Sequence, residues 1–335
     1  MELGYDPIYE IALRSNYKDL LNLCKTSKET FGGICGRNGF WKEKTEYDFG
    51  DLYDNIEKFG RNWWDTYQHY RSVFSKNFIE HLQAKNVKTI LDDVGLIQER
   101  GFLIVDQKNE EEGDTALIVA AFEGYGDIVK FLLKEGANPD IAYDNRYTAL
   151  AIASKYGHTD IVKMLLEVGA DPDIADEDGD TALIEAAFEG YGDIVKMLLE
   201  AGADPDLAEV KGFTALMMAS ARGQADVVNL LLEAGANSDR VNTEKKSALT
   251  FASGEGHADV VKLLLETKVN LNLMTDEGTA LMIASIYGHT NIVNMLLEAG
   301  ADPNLADEDG WTALKLASNS GHTDIVSILE RVTES

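Results

Sequence analysis

The sequence predicts an all-α protein: a repeat solenoid with short β-hairpin-like loops, preceded by a small helical module. Three observations predict it. The phrase Thr-Ala-Leu returns at Thr115, Thr148, Thr181, Thr214, Ser247 (with Ser for Thr), Thr279 and Thr312, in steps of 33, 33, 33, 33, 32 and 33 residues. Behind each phrase apolar residues fall three and four apart, which is the helix period. Glycines then punctuate the copies at matching places, with an Asp-Pro turn in three of them. A fixed period of this length is the signature of stacked units.

The unit at 176–208 shows how one copy is built. Leu183, Ala186 and Ala187 share one helix face, and the alanines let neighbouring helices approach closely. Gly190 ends that helix where the chain must turn back. Asp193 falls in the first turn of a second helix, where negative charge is favourable. Ile194, Val195, Leu198 and Leu199 supply that helix's apolar face, and Gly202-Ala203-Asp204-Pro205 reads as a turn leading outward. One unit cannot bury this surface alone, whereas stacked units make one long core.

Residues 148–174, TALAIASKYGHTDIVKMLLEVGADPDI, resemble the ankyrin repeat. Ala149 takes the place of the family's Pro and Ala151 that of its His, while Gly157-His158 and Gly169-Ala170 match directly. Ala remains a good first-turn residue, so the helix survives the change. The resemblance implies a concave face made of loop tips and exposed parts of the first helices.

Residues 1–45 are a different kind of sequence. Leu20, Leu23, Cys24, Ser27 and Phe31 fall at helical spacing, and Ile8, Ile11 and Ala12 suggest a shorter helix after Pro7. Pro7 and Glu10, then Lys18-Asp19-Leu20, Ser27-Lys28 and Phe40-Trp41-Lys42, resemble an F-box, without that family's opening Leu-Pro pair and with a shorter gap from Pro7 to Asp19. The resemblance implies a grip on the adaptor subunit of a cullin-RING ubiquitin ligase, with Pro7, Ile8, Ile11, Leu20, Leu21, Leu23 and Cys24 forming or supporting the contact. An F-box-like segment joined to ankyrin repeats is similar to proteins of giant DNA viruses, which implies a host cell's cytoplasm or nucleus.

Residues 46–72 are rich in aromatics, among them Tyr47, Phe49, Tyr53, Phe59, Trp63, Trp64, Tyr67 and Tyr70. They are expected to form a joint between the module and the repeats, an aromatic cage for a ligand being the other reading. Residues 73–109 echo the repeat through Val87, Ile90, Leu91 and Gly95 and are expected to form a degenerate N-terminal capping repeat. Seven repeats then fill 110–335. The fifth reads Thr267-Lys268-Val269-Asn270 where others have Gly-Ala-Asp-Pro, and a residue is missing there or before Thr279; a change in curvature is expected. In the last unit Glu330 replaces the leucine of Leu133, Leu166, Leu199, Leu232, Leu265 and Leu297, which suits an outer face that ends the stack.

The 335 residues carry 58 acidic and 30 basic side chains, a net charge of −28. Residues 1–72 hold 12 acidic and 10 basic residues, so the excess lies in the repeats. That argues against a nucleic-acid partner, which needs basic patches, and permits a basic protein target. Cys24 and Cys35 form neither a zinc signature nor a disulfide framework, and two cysteines suit a reducing compartment. No apolar run is long enough for a membrane span.

Four of the six histidines, His158, His257, His289 and His322, hold one repeat place, which suits bonds between adjacent loops rather than a metal site. The acidic loop Asp171–Asp180 lacks the ligand order of a calcium loop, no Ser-His-Asp or Cys-His set can be assigned, and no cofactor is expected. Binding should use places that vary between copies. The candidates for a concave target-binding face are Tyr147, Tyr156, Glu185, Phe213, Met218, Arg222, Phe251, Tyr287 and Trp311. The expected function is a monomeric, non-enzymatic adaptor: the F-box-like module recruits a ligase and the repeats bind a target protein. The alternative is an ankyrin scaffold or occupancy inhibitor without a ligase link.

Overall fold

The computed structural model describes residues 63–85, 105–108, 114–142 and 147–333, with Lys44, Ile90, Asp93 and Val94. The chain divides into two compact units, Met1–Asn138 and Pro139–Ser335. In the first, α1 (Trp63–Gln83) packs on α2 (Ala116–Phe122), which pairs with α3 (Gly126–Lys134). Phe78, Ile79 and Leu82 of α1 are fully buried.

The second unit is a stack of six helix pairs. The first helices are α4 (Ala149–Lys155), α6 (Ala182–Glu189), α8 (Ala215–Arg222), α10 (Ala248–Glu255), α12 (Ala280–Tyr287) and α14 (Ala313–Ser320). Their partners are α5 (Thr159–Glu167), α7 (Gly192–Glu200), α9 (Ala225–Glu233), α11 (Ala258–Leu265), α13 (Thr290–Glu298) and α15 (Thr323–Thr333). First helices pack on first helices and second on second, so two helical layers share one core.

The recurring phrase is a helix start. Each Thr is the N-cap, with extended backbone, and its hydroxyl accepts the N–H three residues on: Thr148 from Ala151 at 3.1 Å and Thr181 from Ile184 at 3.3 Å. Such a cap stabilises by about 1 kcal/mol. Ser247, the one departure, keeps the hydroxyl and bonds Thr250. The Leu of the phrase is buried from Leu117 through Leu281 and half-buried at Leu314 in the last unit, and Ile194, Val195 and Leu198 show the second helix closing the core. Each such side chain is worth about 1.5–3 kcal/mol as an upper figure.

Gly223 closes α8 with φ of +70°. A Cβ there would lie 2.6 Å from the ring of His257 in the next repeat. Glycine is therefore required twice, by its backbone angle and by close approach.

The expected β-hairpin-like loops are absent. No strand occurs among the described residues; the only pairings are isolated bridges such as Ala208 with Thr214 and Ala306 with Thr312. The physical reason is that the loop backbone spends its bonds elsewhere. Asp176 N–H donates to the Asp180 carbonyl, while Asp180 N–H goes to the Asp176 carboxylate at 2.8 Å. Backbone-to-backbone contact between consecutive loops is a single bond, as from Val210 N–H to the Asp178 carbonyl at 2.7 Å. A ladder needs successive backbone pairs, and these turns leave none. The missing residue lies in the turn before Thr279: that turn closes over Thr275–Gly278, where the others span five residues, as in 176–180 and 307–311.

Candidate functional site

The variable places form two local constellations and several single exposed rings. The first constellation lies between the second and third repeats. Lys155 at the end of α4 reaches Glu185 in α6, Nζ to Oε1 2.8 Å. Glu185 is only 6% exposed. Burial alone would lower the Lys155 ammonium pKa, but the bond to Glu185 and that residue's charge outweigh it, and the net shift is upward. The ammonium also lies over the Tyr147 ring, 5.4 Å from its centre. Tyr147 is half-buried; burial first, then its hydrogen bond with Asp176 and that residue's charge, push its hydroxyl up to about 12. Asp180 is pushed up to about 6 by burial and by the carboxylates of Asp176, Glu185 and Glu209. Tyr147 and Glu185 are thus held by their own chain.

The second constellation centres on α8. Phe213, just before its cap, meets Phe251 of α10, with ring centres 5.4 Å apart and planes tilted by 34°. Met218 is half-buried midway along α8. Arg222 at its end is exposed and lies over the Phe188 ring of the preceding repeat, 3.8 Å from the centre. Lys246 stands over Phe251 and bonds Glu277 at 2.6 Å and Glu244 at 3.3 Å.

Tyr156, Tyr287 and Trp311 stand apart from both. Tyr287 is the most exposed of them at 59% and lies 6.4 Å from the His289 ring. Tyr156 repeats that arrangement with His158. The backbone N–H of Trp311 donates to the Asp307 carboxylate. The ligase-contact candidates Pro7, Ile8, Ile11, Leu20, Leu21, Leu23 and Cys24 lie outside the described residues.

The histidines bridge repeats, as their shared place suggests. Nε2 of His257, His289 and His322 bonds the carbonyls of Ala221, Gly254 and Ile286 of the preceding repeat, at 2.9 to 3.1 Å. Carboxylates and amides of the turns do the same. Asp140, Asp173, Asp206, Asp239 and Asn272 each accept the backbone N–H of the next repeat's turn, at Asp171, Asp204, Asn237, Asn270 and Asp302. The recurrence of these turn residues about every 33 positions is the sequence signal of this linkage. Among the described residues no group of three or more His, Cys, Asp or Glu side chains is placed to hold a metal.

A groove of about 720 Å³ crosses the other layer, over α7, α9 and α11. Lys196 and Lys262 flank it, Leu230 and Leu263 line it, and Asn229 stands where those lysines stand. The shorter Asn229 side chain turns along its own helix to Glu233 at 2.8 Å, which leaves the groove open. The place is Lys130, Lys163, Lys196 and Lys262 in four units and Asn229, Asn294 and Ser327 in three, so the pattern alone does not single out this groove. No described helix is long and apolar enough to cross a membrane.

Repeated caps, bridging histidines and two-layer stacking are features of one family, and comparison with known proteins agrees. Residues 135–209, 168–242, 216–307 and 270–331 match the family model "Ankyrin repeats (3 copies)", and residues 112–144 match "Ankyrin repeat". The chain belongs to the ankyrin-repeat family. The crystal structure of the human ASB11 ankyrin repeat domain is similar, with a TM-score of 0.59 and 28% identity, over 64% of this chain and 98% of that one. A search of curated proteins finds no match.

Proposed function

We propose that this chain is a non-enzymatic protein-binding scaffold that holds a target against the first helices and the loops before them. The observation that carries the reading is the set of large side chains at places the stack does not need. Phe213, Met218 and Phe251 are half-buried, and Arg222, Tyr287 and Trp311 are exposed. The same repeat places elsewhere hold Glu189, Glu255, Ser320, Lys246 and Gly278, so packing does not demand aromatics there. Aromatics, Met and Arg are the usual anchors of protein interfaces. A target held this way is either presented to another protein or blocked by occupancy.

Photo-crosslinkers placed at Phe251 and Tyr287, and separately at Lys163 and Lys196 of the second helices, test this in cell extract. One protein should crosslink from the first pair and not the second. Crosslinks arising only from the second-helix positions would overturn the reading.

A finer version adds a ligase-recruiting role for residues 1–45, supported by the F-box-like wording of residues 7–42 and by the likeness to giant-virus proteins. Deletion of residues 1–72 separates it from the plain scaffold. Loss of adaptor and cullin subunits from a pull-down, with target binding intact, supports recruitment. No such subunits with the full chain, where a control F-box protein recovers them, refutes it.

A further inference from the structure

We infer that the fourth repeat presents a preformed seat for a single carboxylate of the partner, beside a half-buried pair of aromatic rings, so that the docking segment carries an Asp or Glu about four residues from a bulky apolar residue. The inference rests on the protein-binding reading above and names what that face takes.

Arg222 carries it. Its guanidinium lies over the Phe188 ring at 3.8 Å and the residue is exposed. Among the described residues it makes no hydrogen bond and no ion pair. Several other cations of the array are engaged: Lys155 with Glu185, Lys245 with Asp276, Lys246 with Glu244 and Glu277, Arg240 with the Asp206 carbonyl and Lys315 with the Gly310 carbonyl. A guanidinium is planar, weakly hydrated and offers five donors. Placed over a ring, it has given up much of its side-chain freedom before a partner arrives, so less ordering cost remains at binding. Its geometry matches a carboxylate in bidentate fashion.

The flanking residues narrow the occupant. In the places equivalent to Arg222, the adjacent repeats have Glu189 and Glu255, both exposed. One carboxylate fits between them, whereas a run of acidic residues meets like charge on both sides. The net charge of −28 suggests a basic partner; at this point the guanidinium offers a direct contact that takes the opposite sign.

The second anchor lies at the other end of α8. Phe213 and Phe251 form a tilted pair there, and Met218 lies one helical turn before Arg222. At about 1.5 Å per residue, Ala215 to Arg222 span roughly 10 Å of helix, and Phe213 lies just beyond the N-cap. An extended chain covers that in about four residues, at roughly 3.3–3.6 Å each.

Panning a displayed library of short random peptides against the full chain tests the inference. Enriched peptides should pair an acidic residue with Phe, Trp, Leu or Ile about four residues away. Their affinity should fall about tenfold or more on Arg222→Glu, fall on Phe251→Ala, and return in Arg222→Glu when the peptide's acid becomes Lys. Arg222→Lys should weaken binding less than Arg222→Glu. Enriched peptides without the acid, affinity unchanged by Arg222→Glu, or no enrichment at all would each overturn it. Peptides that ignore Arg222→Glu but are lost on Tyr287→Ala and Trp311→Ala overturn this inference and leave the protein-binding face standing. Peptides indifferent to all three count against both.

Discussion

Lys155 of one repeat spans the gap to Glu185 of the next, Nζ to Oε1 2.8 Å, and supplies the counter-charge for a carboxylate that the stack has buried. The lysine is partly exposed and the glutamate is not, so the two ends of the pair are unequal. The nearby carboxylates of Asp176 and Asp180 make the lysine more valuable still.

Lys155→Met should therefore destabilise the fold by about 1–3 kcal/mol, since it leaves Glu185 buried without its counter-ion. Adding Glu185→Leu should restore most of the loss. The same repeat place holds Ile152 and Ile283, so an apolar side chain fits there. Urea unfolding of the single and double variants measures both effects. A single variant as stable as the parent would show that Glu185 does not depend on Lys155.

Asp180 makes stability depend on pH. Its carboxyl is raised from an ordinary 3.8 to about 6 by burial and the acids around it. Between those values the folded protein binds a proton that the unfolded chain releases. Stability from this group therefore rises as pH falls from about 6 toward 4, and the charged form is a net cost above 6. Asp180→Asn should be more stable than the parent near neutral pH, with the difference closing toward pH 4. Denaturant midpoints across that range measure it, and a pH-independent difference would contradict it.

Lys245 has φ of +60°, at the place where other repeats have Gly179, Gly212 and Gly310. The loop after it is the shortened one, which leaves room for a side chain. Left-handed backbone disfavours any residue with a Cβ, and the ion pair with Asp276 is exposed and worth little. Lys245→Gly should raise the urea midpoint. A lowered midpoint would mean that the Asp276 contact outweighs the backbone.

Ser154, Ser220 and Ser253 bury hydroxyls that have no partner among the described residues. Ala187 occupies the same place. Ser220→Ala should be neutral or stabilising by about 0.5–1 kcal/mol. Ser285, whose hydroxyl donates to the Leu281 carbonyl at 2.7 Å, should lose a similar amount on the same change. Thermal or urea denaturation of the two variants side by side gives opposite signs if the bonding pattern holds.

The architecture was legible because helix period, glycine places and repeat length all agree. The hairpin-like loops were not, since whether two short arms form a ladder depends on which side chains take their N–H groups. The Asp176 carboxylate takes one and Asp173 takes another from the next repeat. The site was half legible. Phe213, Phe251 and Arg222 stood out as large residues at variable places, and the structure brings the two rings together. Tyr147 and Glu185 stood out for the same reason but are bound to Asp176 and Lys155. Those partners lie about one repeat away along the chain, a separation at which sequence shows residue type and not contact. The groove beside Asn229 was hidden because Asn294 and Ser327 also replace the lysine of that place, so the change of residue type does not mark one unit.

The turns that link one repeat to the next have a direction. Each unit offers a backbone N–H to the unit before it and a side-chain oxygen to the unit after it, from Asp140 and Asp171 through to Asn272 and Asp302. A block of one period copied in frame therefore arrives with a matching connector at each end. Lengthening the array by duplication requires no new junction, and drift can then alter the outward residues of the new copy while its connectors stay in use. Asp140, Asp173, Asp206 and Asp239 are held by that inheritance rather than chosen by a partner.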